Sequence, residues 1–99
     1  LLATKLRALY QRRKGRDLFD LWMGIEVMGA DPRRIAATFR KYMDAEGNKV
    51  TRRMFELNLA DKLAGRQFSE DLRPLLAAGV RYDANEAARI VTGRVLSHL

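Results

Sequence analysis

Gly15-Arg16-Asp17-Leu18-Phe19-Asp20-Leu21-Trp22, reached from Lys5-Leu6-Arg7-Ala8-Leu9 by way of Arg12, is the stretch on which the fold turns. From Leu18 to Met28 nearly every position is apolar, and after Asp20 only Glu26 is plainly polar. A helix that is apolar all round is buried all round, so this segment predicts the central helix of an all-α domain. The segment before it is amphipathic. At ~100° per residue Leu2, Leu6 and Leu9 fall on one stripe, with Arg7 and Lys14 on the far side. Arg12, Arg13 and Lys14 suit a helix C-terminus, where cations oppose the negative end of the dipole, and Gly15 suits the left-handed residue that closes it. The second helix then starts at Arg16 or Asp17. Asp17 is placed to accept from a first-turn N–H, and Asp20 follows one turn in.

Working outward, Gly29-Ala30-Asp31-Pro32 is a stop and a restart, with Asp31 as N-cap and Pro32 at the first helical position, where its missing N–H costs nothing. Ile35, Phe39, Tyr42 and Met43 recur at helical spacing until Glu46-Gly47-Asn48 turns the chain. Thr51 caps a fourth helix through Met54, Phe55, Leu59 and Leu63, ended by Gly65. Ser69-Glu70-Asp71 opens a short helix through Leu72, Leu75 and Leu76, with Pro74 near its first turn and Gly79 at its close. Asp83-Ala84-Asn85-Glu86 is an acidic variant of the capping box, followed by Ala87, Ile90, Val91, Val95 and Leu96 on a terminal helix. Nothing alternates with the period of a strand. The expectation is a compact all-α bundle of five to six helices forming one domain over residues 1–99.

Composition bounds what such a domain does. With 47% hydrophobic and 31% charged residues, the 99-residue chain has the mixture of one globular domain and no room for two. There is no cysteine, hence no disulfide frame and no thiolate metal site, which fits a reducing, cytoplasmic setting. No apolar run approaches the ~18–20 residues that cross a bilayer, and charge at Lys5 interrupts the start too soon for a signal segment. The formal net charge of +7 favours polyanionic partners: nucleic acid, nucleotide phosphates or an acidic protein. Lys5, Arg7, Arg12, Arg13, Lys14 and Arg16 all precede the first acidic residue, Asp17, so one end carries a concentrated positive field.

On one continuous first helix, Lys5 and Arg12 are seven residues apart, hence ~20° in azimuth and ~10 Å along the axis, both beside the leucine stripe. Two such cations can hold successive phosphates, lysine as a mobile point charge and arginine as a planar fork. The plain alternative is that both snorkel over leucines with their heads in water. For Asp17 and Asp20 the plain alternative is helix stabilisation near an N-terminus, worth ~1 kcal/mol; the chemical one is assistance to an attacking hydroxyl or support of a phosphate-binding lysine. Arg16 pairs with either aspartate or with none. His98 stands alone near the C-terminus and suggests no metal site. Arg33, Arg34, Arg40, Lys41, Lys49, Arg52 and Arg53 form basic clusters that suit an RNA backbone or a solvated face, and Phe19 and Trp22 belong to the core.

The KLxAL…R element of Lys5 to Arg12 and the RDxxD element of Arg16 to Asp20, joined by a short basic turn, resemble the third and fourth motifs of the AbiEii/AbiGii-type nucleotidyltransferases. These are the toxin halves of bacterial abortive-infection and toxin–antitoxin systems. Phe68 to Leu76 and the helix from Asp83 to Leu99 are similar to that family's C-terminal region. The resemblance implies a phosphate-binding Lys5 with Arg12 and Arg16 beside it, active-site Asp17 and Asp20, and transfer of a nucleotide from a nucleoside triphosphate to an acceptor, tRNA 3′ ends in some members. It also implies Mg2+ held by the Asp-x-Asp that, with a Gly-Gly-Thr segment, lies upstream in the family and has no counterpart here. The chain is therefore expected to be the C-terminal part of a larger, phage-defence enzyme, inactive alone and without metal ligands of its own. A cognate antitoxin is the implied partner. The competing expectation is a basic helical module that binds RNA or an acidic antitoxin without catalysis.

Overall fold

The computed structural model describes residues 1–99 and contains helices and turns only. There are seven α-helices rather than five or six: α1 Leu2–Gln11, α2 Gly15–Glu26, α3 Pro32–Ala45, α4 Arg52–Ala64, α5 Arg66–Glu70, α6 Arg73–Ala77 and α7 Ala84–Arg94, followed by a 3-10 turn at Leu96–His98. The extra helix comes from Pro74. Lacking an N–H, it cannot continue a helix from Glu70, so Ser69-Glu70-Asp71 ends one short helix instead of opening a longer one.

Local signals act where the sequence places them. Asp31 accepts from Arg33 N–H at 3.0 Å, Thr51 Oγ1 from Met54 N–H at 3.2 Å, and Asp83 from the N–H groups of Asn85 and Glu86 at 2.9 and 3.3 Å. Gly47, at φ 76°, closes α3 in a Schellman arrangement: its own N–H reaches Asp44 O and that of Asn48 reaches Met43 O. The terminal helix stops at Arg94, and Val95 and Leu96 are buried by the turn beyond it.

α2 is the centre of the bundle, packed on α1 and α7, with Leu18, Leu21 and Ile25 buried. It is not buried all round. The helix ends at Glu26, Val27 and Met28 stand exposed beyond it, and Trp22 is half-buried in an aromatic cluster with Phe19 and Tyr82. Leu6, Leu9, Phe39, Phe55 and Phe68 complete the core from α1, α3, α4 and α5.

The turn between α1 and α2 departs from the sequence reading in three ways. α1 stops at Gln11, so Arg12 is extended (φ −138°, ψ 170°) and no longer shares a helix with Lys5. Gly15 is not the left-handed closer of α1 but the first residue of α2, where a Cβ would stand 2.1 Å from the carbonyl oxygen of Phe68. Glycine is required there by close approach of α5. Finally, Asp17 does not cap α2. Asp71, from the end of α5, accepts the Arg16 N–H at 2.9 Å, and Lys14 is the cap residue with no side-chain bond. With that N–H served from elsewhere, Asp17 is free for other partners.

Candidate functional site

Asp17 sits on the third residue of α2 and is 1% exposed. Arg12 folds back on it in a bidentate pair, Nε to Oδ2 and Nη2 to Oδ1, both at 2.8 Å. Lys5 Nζ, from one face of α1, lies 3.8 Å from the same Oδ1 and 3.0 Å from Oδ2 of Asp20, one turn further along α2. Two cations therefore share one oxygen of a buried carboxylate, and a second carboxylate closes the row at its rim. The cations are the wettest members, Arg12 54% and Lys5 40% exposed, and Asp20 at the rim is 30% exposed. The hydrogen bonds and charge of Asp17 raise the Arg12 guanidinium above its ordinary range.

Of the five residues singled out from sequence, four converge: Lys5, Arg12, Asp17 and Asp20. The guanidinium of Arg16 does not join them. Its side chain is exposed, and only its backbone N–H is engaged, by Asp71. Lys5 and Arg12 meet not through a shared helix face but because Arg12 leaves the helix and returns.

The chemistry available follows from the donors left over. An ammonium has three N–H donors and a guanidinium five; here the aspartates occupy some and the rest face water. Such a pair, fixed from beneath and open above, suits an anion with several oxygens. Asp17, with both oxygens engaged, is an anchor for cations. Asp20 is the carboxylate that solvent reaches.

Against this geometry, the family model of the AbiEii nucleotidyl transferase toxins of type IV toxin–antitoxin systems matches residues 1–89. The chain belongs to the AbiEii family. No curated protein and no solved structure matches it. Membership of a type IV toxin–antitoxin family implies a cognate antitoxin for this AbiEii chain. No helix is long and apolar enough to cross a membrane. The basic clusters of the AbiEii chain are exposed; Arg40 is tied to His98 O at 2.5 Å and Arg52 to Glu56 at 3.6 Å, while Arg33, Arg34 and Arg53 have no acidic partner.

Lys62 escaped the sequence reading. It is 4% exposed, its ammonium lies against the carbonyl oxygen of Leu9 and 2.7 Å from that of Tyr10, and burial pushes it down to about 8, with the Arg13 charge acting the same way. The signal was positional: Phe55, Leu59 and Lys62 occupy one stripe of α4 at spacings of four and three, a lysine where an apolar residue is due.

Proposed function

We propose that this chain is the helical part of an AbiEii nucleotidyltransferase in which Lys5 and Arg12 receive the polyphosphate of a nucleoside triphosphate. The observation that carries the reading is the buried Asp17, bonded at both oxygens to Arg12 and with Lys5 Nζ in ion-pair range of the same carboxylate. Phosphoryl-type transfer needs little covalent help from protein and much positioning and charge neutralisation, and preorganised cations supply both without reorganising during the reaction. Asp17 is the positioning residue. Asp20, partly exposed and ion-paired with Lys5, is the carboxylate assigned to assist an acceptor hydroxyl or to support the lysine that meets the phosphate. Arg16 adds long-range attraction from the start of α2.

Mg2+, which this chemistry uses to neutralise phosphate charge, finds no seat among these residues. No group of three acidic or imidazole side chains converges, and Arg12 occupies both Asp17 oxygens. In this reading, as the family resemblance implies, the metal is held by an Asp-x-Asp that this sequence does not contain, and the chain by itself is inactive. Exposed, unpartnered Arg33, Arg34 and Arg53 suit the backbone of an acceptor RNA such as tRNA, in the cytoplasm.

The test is substitution in the full-length toxin. Lys5→Ala is expected to abolish transfer of labelled nucleotide and toxicity together, while circular dichroism of the variant stays native. Undiminished transfer and toxicity would refute the reading. Loss of RNA binding on Arg33→Ala/Arg34→Ala with no response to Lys5→Ala would point instead to a non-catalytic RNA module.

A further inference from the structure

The quartet of charges hangs on the turn between α1 and α2, and that turn is held by α4. Termination of α1 at Gln11 leaves the carbonyls of Leu9 and Tyr10 without partners inside the helix. Lys62 takes both, and Asn58, one turn earlier on α4, donates a further bond to Tyr10 O at 3.1 Å. An ammonium at the negative end of a helix is favourably placed, but burying one is expensive unless its donors are used. Here they are used on the two carbonyls that mark where α1 stops. The next residue is Arg12, extended, with its guanidinium on Asp17.

We infer that Lys62 is a positioning residue for the candidate nucleotide site: by binding the last carbonyls of α1 it ends that helix at Gln11 and delivers Arg12 to Asp17. The inference deepens the reading above and rests on it for its catalytic consequence, though not for its structural one. The charged groups around Lys62 are Arg13, Asp17 and Asp61, and Arg13 is itself paired with Asp61 at 2.5 Å. α4 thus grips the turn at two successive points. Lys62 touches no substrate position; it acts through Arg12.

The direct readout is the Arg12 Nε–H, which donates to Asp17 Oδ2 and should exchange slowly with solvent in a 15N-resolved spectrum of the chain. In Lys62→Met, which keeps length and loses the donors, that protection is expected to vanish while near-ultraviolet circular dichroism stays native. Lys62→Gln, which keeps an N–H donor, is the milder second variant. Retained protection in a folded Lys62 variant would overturn the inference. So would failure of both variants to fold, because Lys62 would then support the whole domain and not the turn. In the full-length enzyme, Lys62→Met is expected to raise KM for the triphosphate on the order of 10-fold with a smaller change in kcat. Adding Arg12→Ala should then make it no worse than Arg12→Ala alone; additive losses would overturn the link. If Lys5→Ala leaves transfer intact while Arg12 protection still depends on Lys62, the nucleotide reading has failed and the Lys62 mechanism stands.

Discussion

Three glycines in helices offer one substitution with three different signs. At Gly15 an added methyl would lie 2.1 Å from Phe68 O and 3.3 Å from a Leu72 methyl. The first neighbour is backbone, so relief requires moving α5 as a body. That motion would pull Phe68 from the core and stretch the Asp71 bond to Arg16 N–H. Overpacking of this kind costs ~1–3 kcal/mol, and weakening the cap adds ~1 kcal/mol. Alanine returns ~0.5–1 kcal/mol through propensity and reduced freedom of the unfolded chain. The balance is a loss of about 1–3.5 kcal/mol, or roughly 4–28 °C in Tm for a domain of this size. Gly93, in α7, has nothing within 4 Å of the same position, so Gly93→Ala is expected to gain ~0.5–1 kcal/mol. At Gly24 the obstacle is the end of the Leu2 side chain, 2.5 Å away but able to turn toward solvent, and the two effects should nearly cancel. Thermal and urea melts of the three variants settle the order Gly93→Ala above Gly24→Ala above Gly15→Ala. A Gly15→Ala protein as stable as the parent would refute the close-approach account of this turn.

The pair at Asp17 should respond unequally to loss of its two members. Asp17→Asn keeps the shape and leaves two half-exposed cations that rehydrate, at ~1–2 kcal/mol, whereas Arg12→Ala strands a buried carboxylate with Lys5 at 3.8 Å and should lower Tm further; the reverse order in thermal melts would contradict the burial of Asp17. Tyr82 has a buried hydroxyl without a protein partner, and burial pushes its phenol upward, so Tyr82→Phe should hold or raise stability by up to ~1 kcal/mol in urea titration. Lys62 titrates at about 8 in the fold and at its ordinary 10.5 when unfolded. Between those values the unfolded chain binds the extra proton, so unfolding free energy rises with pH through that window, until Tyr82 opposes it above its ordinary 10.0. Urea midpoints at pH 7, 8.5 and 9.5 should climb in the parent and not in Lys62→Met.

What the sequence discloses is whatever is decided within a few residues. Asp31, Thr51, Asp83 and Gly47 each act on N–H or carbonyl groups two to five positions away, and each acts as its type predicts. Leu6 and Leu9 follow from periodicity for the same reason. What escapes is set by α4 and α5 on a turn some fifty residues earlier: Phe68 over Gly15, Asp71 on Arg16, Lys62 on Leu9. The apolar run after Leu18 misleads in a different way, because the helix ends at Glu26 and leaves Val27 and Met28 outside the core. The sequence points to Lys5, Arg12, Asp17 and Asp20, and they come together, but by a route that helical azimuth cannot supply, since Arg12 is not helical.

That route bears on how a triphosphate would be drawn in. Lys5 and Arg12 are matched by Asp17 and Asp20, so the formal charges of the quartet cancel and it exerts little long-range pull. The surplus lies next to it, on exposed Lys14 and Arg16, neither of whose side chains has an acidic partner. Attraction by exposed charges is screened beyond ~8 Å at physiological ionic strength. In the proposed site, direct contact with Lys5 and Arg12 would be made well inside that distance and so is screened less than long-range attraction. On the proposed reading, capture falls to Lys14 and Arg16 and positioning to Lys5 on α1 with Arg12 in the turn. Added salt should then weaken encounter through Lys14 and Arg16 while leaving the orientation set by Asp17 intact.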